Sequence, residues 1–113
     1  MKAAILALLL ATAAAAQPLM TVGGDGHAYI TGEGAVLYHA HDGVRREIGI
    51  PPIAGMLPGR AGVWVSAGDR VWLVVEGKAT EIATGTIVEV AEATDGTWLY
   101  VWRDGALVTI YVP

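Results

Sequence analysis

The chain has 113 residues, no cysteine, and eleven acidic residues against seven basic ones. This excludes disulfide staples and a lipid-accepting cysteine, and argues against a nucleic-acid backbone or an anionic membrane surface as partner. A cysteine-free chain of this length must be stabilised by its hydrophobic core or by association with other chains.

Residues 1–16 read as a secretory leader. Lys2 supplies a positive start, Ala3 to Ala11 an apolar stretch too short to cross a bilayer, and Ala14-Ala15-Ala16 a small-residue cleavage site. Cleavage before Gln17 leaves 97 of the 113 residues as a single domain, 17–113, with net charge −5 once Lys2 is lost. The expected location is periplasmic or secreted, with no transmembrane anchor after cleavage.

Beyond the leader, the predicted elements are short strands. Gln17 to Met20 is an arm or first edge strand, and Gly23-Gly24-Asp25-Gly26 a turn cluster. His27 to Thr31 and Ala35 to His41 are strands joined by Gly32-Glu33-Gly34. Asp42-Gly43 turns the chain into Val44 to Ile50, which Pro51-Pro52 ends because proline has no N–H for a ladder. Ile53 to Gly59 shows no strand pattern and reads as the longest connection. Strands then resume at Gly62–Ser66, Arg70–Val75, Lys78–Ala83 and Thr86–Ala93, divided by Ala67-Gly68-Asp69, Glu76-Gly77 and Gly85. Two Asp-Gly signals, Asp95-Gly96 and Asp104-Gly105, bracket the aromatic run Trp98-Leu99-Tyr100-Val101-Trp102. Asp-Gly can supply the two positive φ angles of a type I′ hairpin. No segment carries the 3.6-residue apolar period of a helix. The expected fold is all-β: antiparallel hairpins in a small barrel, a sandwich or a propeller-like stack.

The chain aligns with itself. Asp25–Ile48 lies over Arg60–Ile82, and Val36–Pro51 over Trp98–Pro113, giving units of roughly 35 residues in the period range of repeat architectures. The second unit, GVWVSAGDRVWLVVEGKATEI, resembles a β-propeller blade, with a tryptophan early and a turn glycine before the outer strand. The resemblance implies stacked repeats and no particular activity.

Alternation assigns faces. In the C-terminal hairpin Leu99, Val101, Val108 and Ile110 share one face; Trp98, Tyr100, Trp102, Leu107 and Tyr111 share the other. In the central unit a three-residue turn at Ala67-Gly68-Asp69 places Trp64 and Trp72 on one side and Val63, Val65, Val71, Leu73 and Val75 on the other. Both faces are apolar, so either the sheet curls into a compact core with an exposed aromatic surface, or another chain covers it. Trp98, Tyr100, Trp102 and Tyr111 are the candidate surface for a glycan or protein partner; a homo-oligomer is the structural alternative.

The histidines form the other candidate site. His39 and His41 share a strand face. With Thr31 opposite Ala35, His27 falls opposite His39, and Asp25 opposite His41. Three imidazoles and a carboxylate are a ligand set for Zn²⁺ or Cu²⁺. Catalytic residues are not evident: Ser66 is the only serine and sits in no nucleophile motif, Glu89 and Glu92 lie on opposite strand faces, and the Gly23–Gly26 cluster precedes no helix. The leading expectation is an exported non-enzymatic module that binds a protein or a glycan. The alternative is a metal-binding protein or metal-dependent enzyme built on the histidine hairpin.

Overall fold

A computed structural model of the chain describes residues 19–113; the leader expected at residues 1–16 lies outside the described residues. Strands β1 (Met20–Val22), β2 (Ala28–Thr31), β3 (Leu37–His41) and β4 (Val44–Glu47) form a first sheet in sequence order. A central sheet holds β5 (Ile53–Pro58), β6 (Val63–Ala67), β7 (Arg70–Val75) and β8 (Lys78–Thr84), also in order. The third holds β9 (Thr86–Glu92), β10 (Thr97–Arg103) and β11 (Ala106–Val112), with β10 in the middle. Among the described residues every pairing is antiparallel and every sheet is open at both edges. The protein is all-β and sandwich-like. Among the described residues its only helical element is the single 3-10 turn Glu33–Ala35.

Tight turns set the registers. Asp42-Gly43, Glu76-Gly77 and Asp104-Gly105 each hold two successive positive φ angles, at 52° and 76°, 48° and 83°, and 50° and 75°. These are the angles that match the twist of a hairpin, and glycine reaches them without a Cβ clash. Each sheet contains one such acidic-Gly turn, and the central sheet contains a second two-residue turn. Gly68-Asp69 makes a fourth, at 61° and 59°.

That fourth turn corrects the face assignment of the central sheet. It has two residues, not three, so Ala67 pairs with Arg70, Val65 with Trp72 and Trp64 with Leu73. A one-residue change of register moves a strand's side chains to the opposite face. Trp64 and Trp72 therefore lie on opposite sides. Val63, Val65, Ala67 and Val74, with Trp72, pack against Tyr29, Leu37 and Ile48 of the first sheet and its connection. Trp64 and Val71, with Leu73, pack against Leu99, Val101 and Val108 of the third. The central sheet is thus covered on both sides, and all five residues of β6 are buried. Its doubly apolar pattern has this cause.

Three further expectations are corrected. Ile53–Pro58 is not a connection but the edge strand β5, with Pro58 at its end where a missing N–H costs least. The loop between β2 and β3 spans 32–36 rather than Gly32-Glu33-Gly34, and takes in the 3-10 turn and Ala35 at φ 60°. Asp95-Gly96 is not a type I′ turn: Glu92 pairs with Thr97, and the Ala93 N–H bonds Gly96 O at 2.8 Å across a wider loop. Gly96 is needed there for close approach, since a Cβ would fall 2.6 Å from both Tyr111 Oη and Val112 O. The C-terminal hairpin follows the expected faces, with Trp98 paired to Tyr111, Leu99 to Ile110 and Trp102 to Leu107.

Gly105 has open space around its missing Cβ but a φ of 75°. Gly105→Val should destabilise the fold by backbone strain alone, by about 1–3 kcal/mol, and lower the urea midpoint accordingly. An unchanged midpoint would show that this turn does not constrain the hairpin.

Candidate functional site

The three histidines do meet, through a register displaced by two residues from the expected one. Tyr29, not His27, is opposite His39, and Thr31 is opposite Leu37. An even displacement preserves the faces, so His27, Tyr29, His39 and His41 all lie on the inner side of the first sheet. Tyr29 is fully buried, whereas His27 and His39 are half-buried and His41 is exposed.

The imidazoles pack as a stack. The His27 and His41 rings lie 3.7 Å apart, 7° from parallel. His27 Nδ1 and His39 Nε2 are 2.6 Å apart, within hydrogen-bond distance, in rings only 11° from parallel. That contact engages one nitrogen of each ring. Among the described residues no group of three His, Cys, Asp or Glu side chains is arranged to hold a metal ion.

Asp25 is not opposite His41. Its Oδ1 accepts the His27 N–H at 3.1 Å, and its Oδ2 accepts the Tyr29 hydroxyl and the Glu76 N–H, each at 2.8 Å. Tyr29 Oη in turn accepts the Gly77 N–H at 3.1 Å. Asp25 and Tyr29 thus fasten the first sheet to the β7–β8 turn of the central one. Gly77 leaves room for His39: a Cβ there would sit 2.8 Å from its Nδ1. Sequence reasoning missed Tyr29, Glu76 and Gly77. No local signal marks them, because the turn lies 48 residues from Tyr29 along the chain.

Burial acts to raise the Asp25 pKa, but the Glu76 N–H, the Tyr29 hydroxyl, the His27 N–H and the His27 charge outweigh it and hold the carboxyl below its usual range. Burial, then the Asp25 carboxylate, pushes the Tyr29 phenol up to about 12. Burial and the adjacent His27 and His41 rings hold His39 below an ordinary histidine. Beside this cluster a cleft of about 450 Å³ opens between the β3–β4 hairpin and the Glu76-Gly77 turn, with Arg46 and Glu47 on its wall.

The aromatic face lies on the outer side of the third sheet. Trp98, Trp102, Leu107 and Tyr111 are 42%, 52%, 56% and 38% exposed, against 0% for Leu99 and Val101 beneath. Tyr100 between the tryptophans is half-buried. Trp98 and Tyr111 pack at 4.8 Å, tilted by 50°, and the Tyr111 hydroxyl donates to Asp95 O at 2.8 Å. Polar partners interleave: Thr109 and Glu89 flank Tyr100, and Thr86 is opposite Trp102.

Ser66 is structural: it is buried, and its Oγ accepts the Ile87 N–H at 2.8 Å, tying the central sheet to the third. Glu92 accepts the Arg60 N–H and the Thr97 hydroxyl, and Arg45 lies 4.7 Å over the Tyr38 ring. Among the described residues no helix is long and apolar enough to cross a membrane. The chain matches no protein-family model, no curated protein and no solved structure.

The titrations set opposite pH limits. His39 and Asp25 have lowered folded-state pKa values, so their stabilisation is complete above about pH 6.5 and 3.8 respectively and is lost as pH falls through the folded values. The raised Tyr29 value stabilises below about pH 10 and is lost as pH rises towards about 12. Urea midpoints from pH 8 to 4 should therefore decline below about pH 6.5, and His39→Asn should remove the first part of the decline. Tyr29→Phe should cost about 1–3 kcal/mol at neutral pH by removing one of the two donors to Asp25 Oδ2 and leaving the Gly77 N–H without its acceptor. A Phe variant as stable as the parent would show that this network does not hold the sheets together.

Proposed function

We propose that the protein is an exported, non-enzymatic binding module whose partner docks on the outer aromatic face of the third sheet, and that this partner is a glycan. The observation that carries the reading is the exposure of Trp98, Trp102 and Tyr111 on one sheet face whose opposite side is packed core. Flat rings present large apolar area at low conformational cost. A purely apolar partner would favour an unbroken hydrophobic patch, whereas here Thr86, Glu89 and Thr109 interleave with the rings. That mixture suits a chain of sugar rings, each with an apolar C–H face and polar edges. Trp98 and Trp102 are four residues apart on one strand, roughly 13 Å along it, a span longer than a single pyranose.

The histidine cluster supports a second reading, a site for Zn²⁺ or Cu²⁺. His27, His39 and His41 converge, but His27 and His39 must first give up the hydrogen bond they share. Asp25 would stay outside that set because both its oxygens are engaged.

Substitution separates platform from core. Trp64→Ala, in the buried layer, should cost about 3–5 kcal/mol of folding stability, whereas Trp98→Ala and Trp102→Ala should cost far less. Affinity electrophoresis through gels containing soluble polysaccharides should retard the parent and not these two variants. Retardation of the variants equal to the parent's would sink the glycan reading. Loss of parent self-association in the same variants, seen by sedimentation, would instead make the face an interface between copies of the chain.

A further inference from the structure

We propose that the cleft between the Gly68-Asp69 and Asp104-Gly105 turns binds one hexopyranose ring of a neutral glycan, with the sugar stacked on Trp102. The proposal rests on the glycan reading above and locates its anchoring subsite. The cleft has a volume of about 550 Å³, and its walls include Asp69, Arg70, Thr86, Trp102, Arg103 and Asp104. It is where the aromatic face runs out into polar side chains.

Charge and hydrogen-bonding capacity select the ligand. Two carboxylates and two guanidinium groups line the cleft, and one of the guanidiniums, Arg70, is already paired with Glu81, so no excess of positive charge selects an anionic ligand. Carboxylates only accept hydrogen bonds and guanidinium groups only donate them. A ligand that pairs with both must offer donors and acceptors together, which each sugar hydroxyl does in a single group. Trp102, the most exposed of the face's tryptophans, offers an indole surface for the apolar side of the ring. Its cross-strand neighbour Thr86 places a hydroxyl-bearing side chain next to it on the cleft side.

The walls are built before any ligand arrives. Asp69 and Asp104 each sit in a turn held at positive φ, at 59° and 50°. The Gly85 N–H donates to Asp69 O at 2.7 Å, joining the first turn to the crossing between sheets. Arg103 Nε–H donates to Thr84 O at 3.1 Å, and Arg70 is paired with Glu81 at 2.7 Å. Gly85, at φ 112°, passes directly beneath the tryptophan strand, where a Cβ would lie 2.7 Å from Trp102 O. A preformed site loses less ordering entropy on binding. The cleft beside the histidines lacks an exposed indole and does not combine these features.

The test is isothermal titration of the purified protein with cellohexaose, chitohexaose and maltohexaose, each alone. The parent should bind at least one of them. Trp102→Ala should weaken that binding by tenfold or more, and at least one of Asp69→Asn and Asp104→Asn should weaken it by about tenfold, the scale of a lost charged hydrogen bond. Asparagine tolerates the left-handed backbone, so the urea midpoints of both Asn variants should match the parent. If both Asn variants bind as the parent does while Trp98→Ala and Trp102→Ala do not, the cleft proposal is overturned and the platform stands. A parent that binds none of the three sugars overturns both.

Discussion

Everything in this fold depends on β6 being buried on both faces. Val63, Val65 and Ala67 face the first sheet, and Trp64 and Ser66 face the third. A strand with two apolar faces is stable only if both are covered. The two cores are distinct clusters on opposite sides of one sheet, so the central sheet is the shared wall between them. Without disulfides, this double burial is what a chain of this length has in place of a single large core.

Layering also decides where a site can form. The inner sides of the outer sheets are spent on packing, so chemistry is left to the outer sides and to the ends where layers overhang. The histidines occupy one such overhang. There the inner face of the first sheet runs past the Glu76-Gly77 turn, and buried Tyr29 gives way to half-buried His39 and exposed His41. Asp25 and Tyr29 close this end with hydrogen bonds to backbone N–H groups, which a carboxylate and a phenol can satisfy while partly desolvated.

The third sheet's outer face offers different chemistry because, among the described residues, nothing folds over it. Its inner residues Leu99 and Val101 are as buried as any in the protein, while the tryptophans on alternate positions of the same strand remain open to solvent. A strand that is core on one side and aromatic surface on the other supplies a rigid mount for the side chains it presents. The turns at its end, held by paired positive φ angles and the Gly85 crossing, extend that rigidity to the polar cleft.

The all-β class, nine of the eleven strands described, the turns at Asp42-Gly43, Glu76-Gly77 and Asp104-Gly105 and both faces of the C-terminal hairpin were legible in the sequence by itself; the first strand was legible only as an arm or edge strand, ending where β1 begins. Period-two alternation and turn chemistry are local, and each acts within a few residues. Strand β5 was not legible, because Gly55 and Pro58 mask an edge strand recruited by pairing with β6. The faces of Trp64 and Trp72 were not either, since they hinged on whether the turn at Gly68 holds two residues or three. Alternation brought the histidines to one side of their hairpin, but their pairing was decided by loop length, and their anchoring by a turn distant in sequence. Whether an aromatic face is core or surface likewise awaited tertiary structure. Alternation states which residues travel together, and only the packing of whole sheets decides which side meets water.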